Sequence, residues 1–271
     1  FSPVAGPRFL GDVSRKEVRD ALVSGLEQLS QQIKGSSIHA LFVTQEESDW
    51  LAQRSFIQRE TFQFQWFNEG YACFDDFLQR FRSKRRNQIK RERRRALSDG
   101  VQLRTLIGDS ITRADIVQMY QFYSNTIDRF YSGQKYLNEA FFLRIFESMP
   151  EKVCLVQAVQ DGEVVAGTFN LVSDDVFYGR YWGCSKEIRD LHFEVCCYHP
   201  VQLAIERGWQ RVELGAGGQH KWGRGFLPQL TFSSHKLFVE PLIEPVRAAV
   251  AKESRHLRQE IEHLKSEILK P

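Results

Sequence analysis

Apolar residues recur along this chain with two periods. After Ser14, Val18, Leu22, Leu26, Leu29 and Ile33 follow at three- and four-residue intervals, which places them on one face of a helix. Ser14 with Glu17 has the form of a capping box. "SIHALFV" (37–43) reads as a buried strand, and Thr44 with Glu47 as a second capping box before a short helix ending near Arg54. "TFQFQWF" (61–67) alternates aromatic and Gln positions, the period of a half-buried strand. Phe74, Phe77, Leu78 and Phe81 make two helical turns. Ser83 is the expected cap of a further helix that stops at Gly100, and "VQLRTLI" (101–107) is a strand.

A second series begins at residue 113. Ile116, Tyr120, Tyr123 and Ile127 define one helix, and Phe141, Phe142, Ile145, Phe146 and Met149 another that stops at Pro150. "KVCLVQAVQ" and "EVVAGTFNLV" flank Asp161-Gly162 as a hairpin, and "VFYGRYWGC" is a third strand. Residues 194–207 are helical, "RVELG" and "TFSSHKLFV" (231–239) are strands, and from Glu244 a helix carries the stripe Val246, Val250, Leu257, Ile261, Leu264 and Ile268. That stripe is too short for sustained heptads, so docking on the body is the expectation. The order helix-helix-strand-strand-strand-helix-strand-strand over 113–239 is that of the N-acetyltransferase-like (GNAT) fold, and 14–107 reads as a partial copy. The expected architecture is therefore a mixed α/β (α+β) GNAT-like fold in two tandem halves: 1–107, incomplete at its N-terminus and including the basic helix 83–99; 108–240; and a docking helix over 241–271. The opening "FSPVAGPRFL" reads like the middle of a fold, so a preceding portion is expected.

Charge sharpens the picture. The net charge of the 271 residues is only +3. Residues 80–95 nevertheless hold ten basic side chains and one acid, a local +9 that leaves −6 for the remainder. Such a concentration is a local device, not the spread of a polyanion-coating surface. Five cysteines without a CxxC pair argue against a disulfide framework or zinc site and point to a reducing, cytoplasmic compartment; no metal is expected. No apolar run reaches membrane-spanning length.

Three segments carry candidate chemistry. At the start of the basic helix, free backbone N–H groups beside Lys84, Arg85 and Arg86 would seat a phosphate or pyrophosphate; a solvated face and nucleic-acid binding are the rival readings. "GAGGQHKWGRG" (215–225) has five glycines in eleven residues. Gly217 and Gly218 let the backbone approach a ligand, with Trp222 among the binding candidates. Arg224 would pair with a carboxylate or phosphate, and Lys221 would stabilise a tetrahedral oxyanion. The spacing is not that of a P-loop. In "LHFEVCCYH" (191–199), Glu194 and Tyr198 share a helical face. Glu194, His192 and His220 are candidates for the base that aminolysis needs, with Glu213 at a strand end as a fourth. Burial would have to raise a carboxyl toward neutrality. Cys196 and Cys197 read as buried thiols. His235 is open between a catalytic and a structural place.

Two of these stretches carry a family resemblance. "SKRRNQIKRERRRALSDGV" (83–101) resembles the SKxRxxIRxA…GV helix of the Fem family of aminoacyl and peptidyl transferases. "YWGC…LHFEVCCYHPVQLAIERGWQRVELGAGGQHKWGRGFLPQLTFSSH" (181–235) is similar to the FemAB-like predicted N-acyltransferases of the peptidoglycan biosynthesis and recognition type, with their LHFExCYY and GAxGxHKxxRGF patterns. Leu214 and Gly218-Gln219 depart from that pattern. The resemblance implies direct transfer of an acyl or aminoacyl group onto an amine-bearing small molecule, peptide or peptidoglycan precursor. It also puts the basic helix beside the substrate groove. No tightly bound cofactor is implied; acyl-CoA or aminoacyl-tRNA is the co-substrate, and tRNA a candidate partner. The Gln/Arg-x-x-Gly-x-Gly loop that holds the acetyl-CoA pyrophosphate in GNAT enzymes is absent. A catalytically inactive module that binds a peptidoglycan precursor or nucleic acid is the alternative. Oligomeric state is not legible.

Overall fold

The computed structural model describes residues 4–130, 133–215 and 218–268. Its contacts divide the chain into two units: the described residues up to Gln63 with Pro228–Glu267, and Phe64–Leu227. The expected tandem halves are divided at residue 107, so they are not these units. The basic helix falls in the second unit, together with the glycine-rich segment.

In the first unit, α1 (Lys16–Gln32), β1 (Ser37–Val43) and α2 (Gln45–Ala52) lead into β2 (Ile57–Phe67), whose last four residues belong to the second unit. β1 pairs antiparallel with β8 (Leu227–Leu237), which neighbours β2. Phe9, Val23, Trp50, Leu51 and Phe56 form the core. The Thr44–Glu47 capping box is present. Ser14 is not a cap: its hydroxyl donates to Asp12, and α1 starts after Arg15 with no side-chain cap. The last helix, α9 (Glu240–Ile268), turns its apolar stripe inward at the buried Ile261, and Arg59–Glu253 and Arg258–Glu60 tie it to β2.

In the second unit the strand order is β2-β7-β6-β5-β4-β3, with β3 (Gln102–Ile107), β4 (Val153–Gln160), β5 (Glu163–Val172), β6 (Val176–Cys184) and β7 (Arg211–Glu213). Neighbours from β3 to β6 are antiparallel. The pairing of β6 with β7 is parallel, and the chain between them runs through α7 (Leu191–Phe193), a five-residue π-helical turn (Glu194–Tyr198) and α8 (His199–Arg207). Helices α5 (Arg113–Phe130) and α6 (Glu139–Ser148) cover β5 and β6 through Phe122, Tyr123, Phe142 and Phe169. Before them come α3 (Phe74–Leu78) and the basic helix α4 (Ser83–Ala96). Arg82, not Ser83, is the residue preceding the first turn of α4, and no side chain caps it.

Two features of this sheet determine the space beside β7. The β6–β7 register runs only from Val176↔Arg211 to Tyr178↔Glu213. β6 continues to Cys184 while β7 ends, so a gap opens beyond that point. In addition, α5 crosses β6 closely at Gly183: a Cβ there would overlap the carbonyl oxygen of Phe122. Nothing but glycine fits without moving the helix. Gly183→Ala is expected to cost at least the upper part of the ~1–3 kcal/mol typical of overpacking, read as a lowered urea midpoint with an unchanged slope; a wild-type midpoint would show that α5 does not lie there.

Candidate functional site

The gap beside β7 holds a cavity of about 810 Å³. One wall is β5 and β6, with Thr168, Asn170 and residues Gly179 to Trp182; a second is α5, with Tyr123, Thr126 and Ile127. The third is His192, Cys196 and Cys197 from α7 and the π-helical turn, and the last is Leu214, Gly218, His220 and Lys221 from the glycine-rich segment. No Asp or Glu lines it among the described residues.

The glycine-rich segment is more ordered than a flexible loop. Gly218 takes φ +86°, and residues Gln219–Arg224 wind into a 3₁₀ helix that ends at Gly225, φ +89°. Gly217 lies outside the described residues. Lys221 is buried, and its Nζ donates to the carbonyls of Leu214 at 2.8 Å and Gly215 at 3.1 Å. Burial pushes its pKa below the ordinary lysine value. Trp222 is buried in the same turn with its indole N–H unpaired.

Arg224 is not among the residues that line the cavity. It is 6% exposed and donates to Glu92 of α4 at 2.8 Å and to the carbonyl of His220 at 2.7 Å. Its guanidinium lies 3.4 Å from the centre of the Phe193 ring. The Tyr198 hydroxyl donates to the same Glu92 carboxylate. Burial pushes Glu92 up, but the hydrogen bonds of Tyr198 and Gln88 and the charge of Arg224 outweigh it and hold the carboxyl below its usual value. The expected pairing of Arg224 with an anion is thus made inside the protein.

The basic helix and the glycine segment do come together, but the helix supports the turn from outside the cavity. Among the described residues none of α4 lines it. Arg85 lies against Gly223, where a Cβ would stand 2.9 Å from its guanidinium carbon. Lys84 is exposed on the outer face, and Arg86 is engaged with Gln79. Arg93 grips Glu194 with a two-pronged contact, Nε–Oε2 3.0 Å and Nη2–Oε1 2.9 Å. Glu194 is fully buried and absent from the lining. Burial raises its pKa, against the opposing pull of Arg93. Glu213 is likewise buried beside the cavity; burial raises it, and Gln65 and Arg211 contact one of its oxygens while the other has no hydrogen bond. His235 sits in the first unit, its Nδ1 2.7 Å from that of His39.

The imidazoles of the cavity are His192 and His220, with ring centres 5.8 Å apart. Burial, then His220, Arg224 and Lys221, lower His192 to about 4, and His220 is lowered by burial and the same two cations. Both therefore stand neutral near pH 7. Burial raises Cys197 to about 12 and Cys196 well above its ordinary value, so both thiols stay protonated. Arg180, Tyr181, Trp182, Tyr123 and Asn170 were not among the site candidates; "VFYGRYWGC" was legible as a strand but not as a wall.

A family model described as FemAB_like, peptidoglycan biosynthesis/recognition, matches residues 1–269. No curated protein matches the sequence. Among solved structures, FemX is 13% identical over 90% of this chain and 82% of its own, with a TM-score of 0.59. L-PGS from Bacillus licheniformis is 12% identical over 87% and 79%, with a TM-score of 0.58. A conserved protein of unknown function from Bacteroides thetaiotaomicron is 14% identical over 81% and 75%, with a TM-score of 0.57. At such identities these likenesses establish the fold alone, a mixed α/β arrangement of the kind expected from the sequence. No helix among the described residues is long and apolar enough to cross a membrane.

The lowered imidazoles have a consequence for stability. His192 and His199, whose Nε2 meets Thr105 at 2.8 Å, both titrate near 4 when folded and near 6.5 when unfolded. Between those values the unfolded chain binds more protons, so stability is present above pH 6.5 and is lost as pH falls toward 4. Melting temperature should drop across that window, and less steeply in His199→Gln; a flat profile from pH 7 to 4.5 would contradict the burial of these rings.

Proposed function

Because the chain belongs to the FemAB-like family, we propose that its cavity transfers an acyl or aminoacyl group from an activated donor directly to an amine. The donor is acyl-CoA or aminoacyl-tRNA, and the acceptor a small molecule, peptide or peptidoglycan precursor. The observation that carries this reading is Lys221. Its ammonium spends two protons on the carbonyls of Leu214 and Gly215 and keeps a third N–H for a ligand. A cation held by the backbone in a site with no lining carboxylate is suited to stabilise an oxyanion.

The roles follow from the surroundings. The amine nitrogen attacks the acyl carbon, and Lys221 takes the charge that develops on the carbonyl oxygen. The nitrogen of the adduct then loses a proton to a neutral imidazole, His192 or His220, while the C–S or C–O bond to the donor breaks and the leaving group takes up a proton. Glu194 and Glu213 stand outside the lining and hold structure in this scheme. Protonated Cys196 and Cys197 make poor nucleophiles, which favours transfer without an acyl-enzyme. The outer face of α4 favours a polyanionic donor: Arg82, Lys84, Arg91 and Arg94 are exposed and form no ion pair among the described residues.

The test is to incubate the protein with a panel of acyl-CoAs and charged tRNAs and candidate amines, and to weigh the products by mass spectrometry. Lys221→Met is expected to lower kcat about 10²–10³-fold, the loss typical of one oxyanion donor, with less effect on KM. Product formation at the wild-type rate would remove Lys221 from the chemistry. Ligand binding without any transferred group would support the inactive binding module.

A further inference from the structure

The sheet contains an irregularity at the cavity wall. β5 and β6 run in register through Thr168↔Trp182 and Phe169↔Tyr181, then shift to Asn170↔Gly179. Arg180 is the extra residue, unpaired in the ladder. A regular strand sends alternate side chains to opposite faces, and a bulge re-aims them. Here Gly179, Arg180, Tyr181 and Trp182 all line the cavity.

Among the described residues the Arg180 guanidinium makes no direct ion pair. Nη1 donates to the carbonyl of Gly179 at 2.7 Å, and among the described residues no carboxylate comes within ion-pair distance. The acid that acts on it from farther away, Glu213, is shared with Arg211 and Gln65, which contact one of its oxygens. Burial lowers the Arg180 pKa, a sign that its charge is partly cut off from water. Lys221 adds a second cation to the same wall system, and the remaining lining is aromatic, hydroxyl, amide and neutral imidazole. A sheltered positive charge without a directly paired counter-charge is costly, and a planar fork of donors matches a two-oxygen anion.

We infer that Arg180 seats an oxyanion of the substrate, a carboxylate or a phosphate, so that the molecule entering this cavity is an anion. The inference rests on the cavity being the transfer site and narrows what it transfers or accepts. A merely structural arginine, filling the bulge, would leave ligand charge without effect.

The experiment is calorimetric titration of the whole protein with three probes: N-acetyl-L-alanine, its uncharged amide, and inorganic phosphate. In the wild type the acid should bind about tenfold or more tightly than the amide, the size of a charge-assisted pair of hydrogen bonds. Arg180→Gln should bring the two to within about twofold of each other. Arg180→Lys, which keeps the charge and loses the fork, should lose part of the preference for the acid, and it carries the test if the glutamine variant does not fold. Displacement of the acid by phosphate would identify a phosphate seat; no displacement, a carboxylate seat. Equal binding of acid and amide, a preference that survives Arg180→Gln, or no binding of either anion at millimolar concentration would overturn the inference. The two readings fail separately: transfer that persists without anion preference sinks only the seat, and anion preference without any transfer product sinks only the transfer.

Discussion

Arg224 and Glu92 come from segments 132 positions apart and meet at 2.8 Å with both side chains nearly removed from water. An unpaired charge at either place would carry a heavy desolvation cost, so each residue makes the other tolerable. The pair fixes two things. It joins α4 to the 3₁₀ turn that carries Lys221. It also collects Tyr198 and Gln88 on the same carboxylate, which anchors the π-helical turn. Such turns inside helices frequently mark functional sites; here the turn places Cys196 and Cys197 on the cavity and Glu194 under Arg93.

This arrangement explains why so much positive charge is packed into one short helix. The inner face of α4 is consumed: Arg93 by Glu194, Arg85 by Gly223 and Gln88, and the single acid, Glu92, by Arg224. The outer face keeps cations that form no ion pair among the described residues. The helix is therefore a support with a charged exterior, and the cations that line the cavity, Lys221 and Arg180, come from elsewhere. Their placement depends on the sheet. β7 stops pairing at Glu213, which opens the gap, and the bulge in β6 turns Arg180 into it.

The elements were largely legible because their periodicity reflects burial of one face, and burial is what the fold enforces. The helix at 83–96, the hairpin at 161–162 and the Thr44 cap follow directly from local pattern. Caps at Ser14 and Ser83 were not, because a serine followed by helix-forming residues does not fix which residue precedes the first turn. Ser14 instead satisfies Asp12. The glycine segment was legible as a site of close approach, and His192, His220 and Lys221 do line the cavity. The partners of Glu194, Arg224 and Tyr198 were not, since a side chain's choice between ligand and protein is settled by residues about a hundred positions away. Arg180 was hidden for a similar reason: a bulge is a property of two strands in register, and neither strand announces it alone.

The most direct measurement of the central claim is a double-mutant cycle on the buried pair, read as unfolding free energy in urea. Glu92→Gln and Arg224→Met should each cost about 3 kcal/mol or more, and the double variant about as much as one of them, because the second change removes a charge already stranded by the first. Costs that simply add would mean that the two residues do not hold each other, and that the turn bearing Lys221 is positioned by something else.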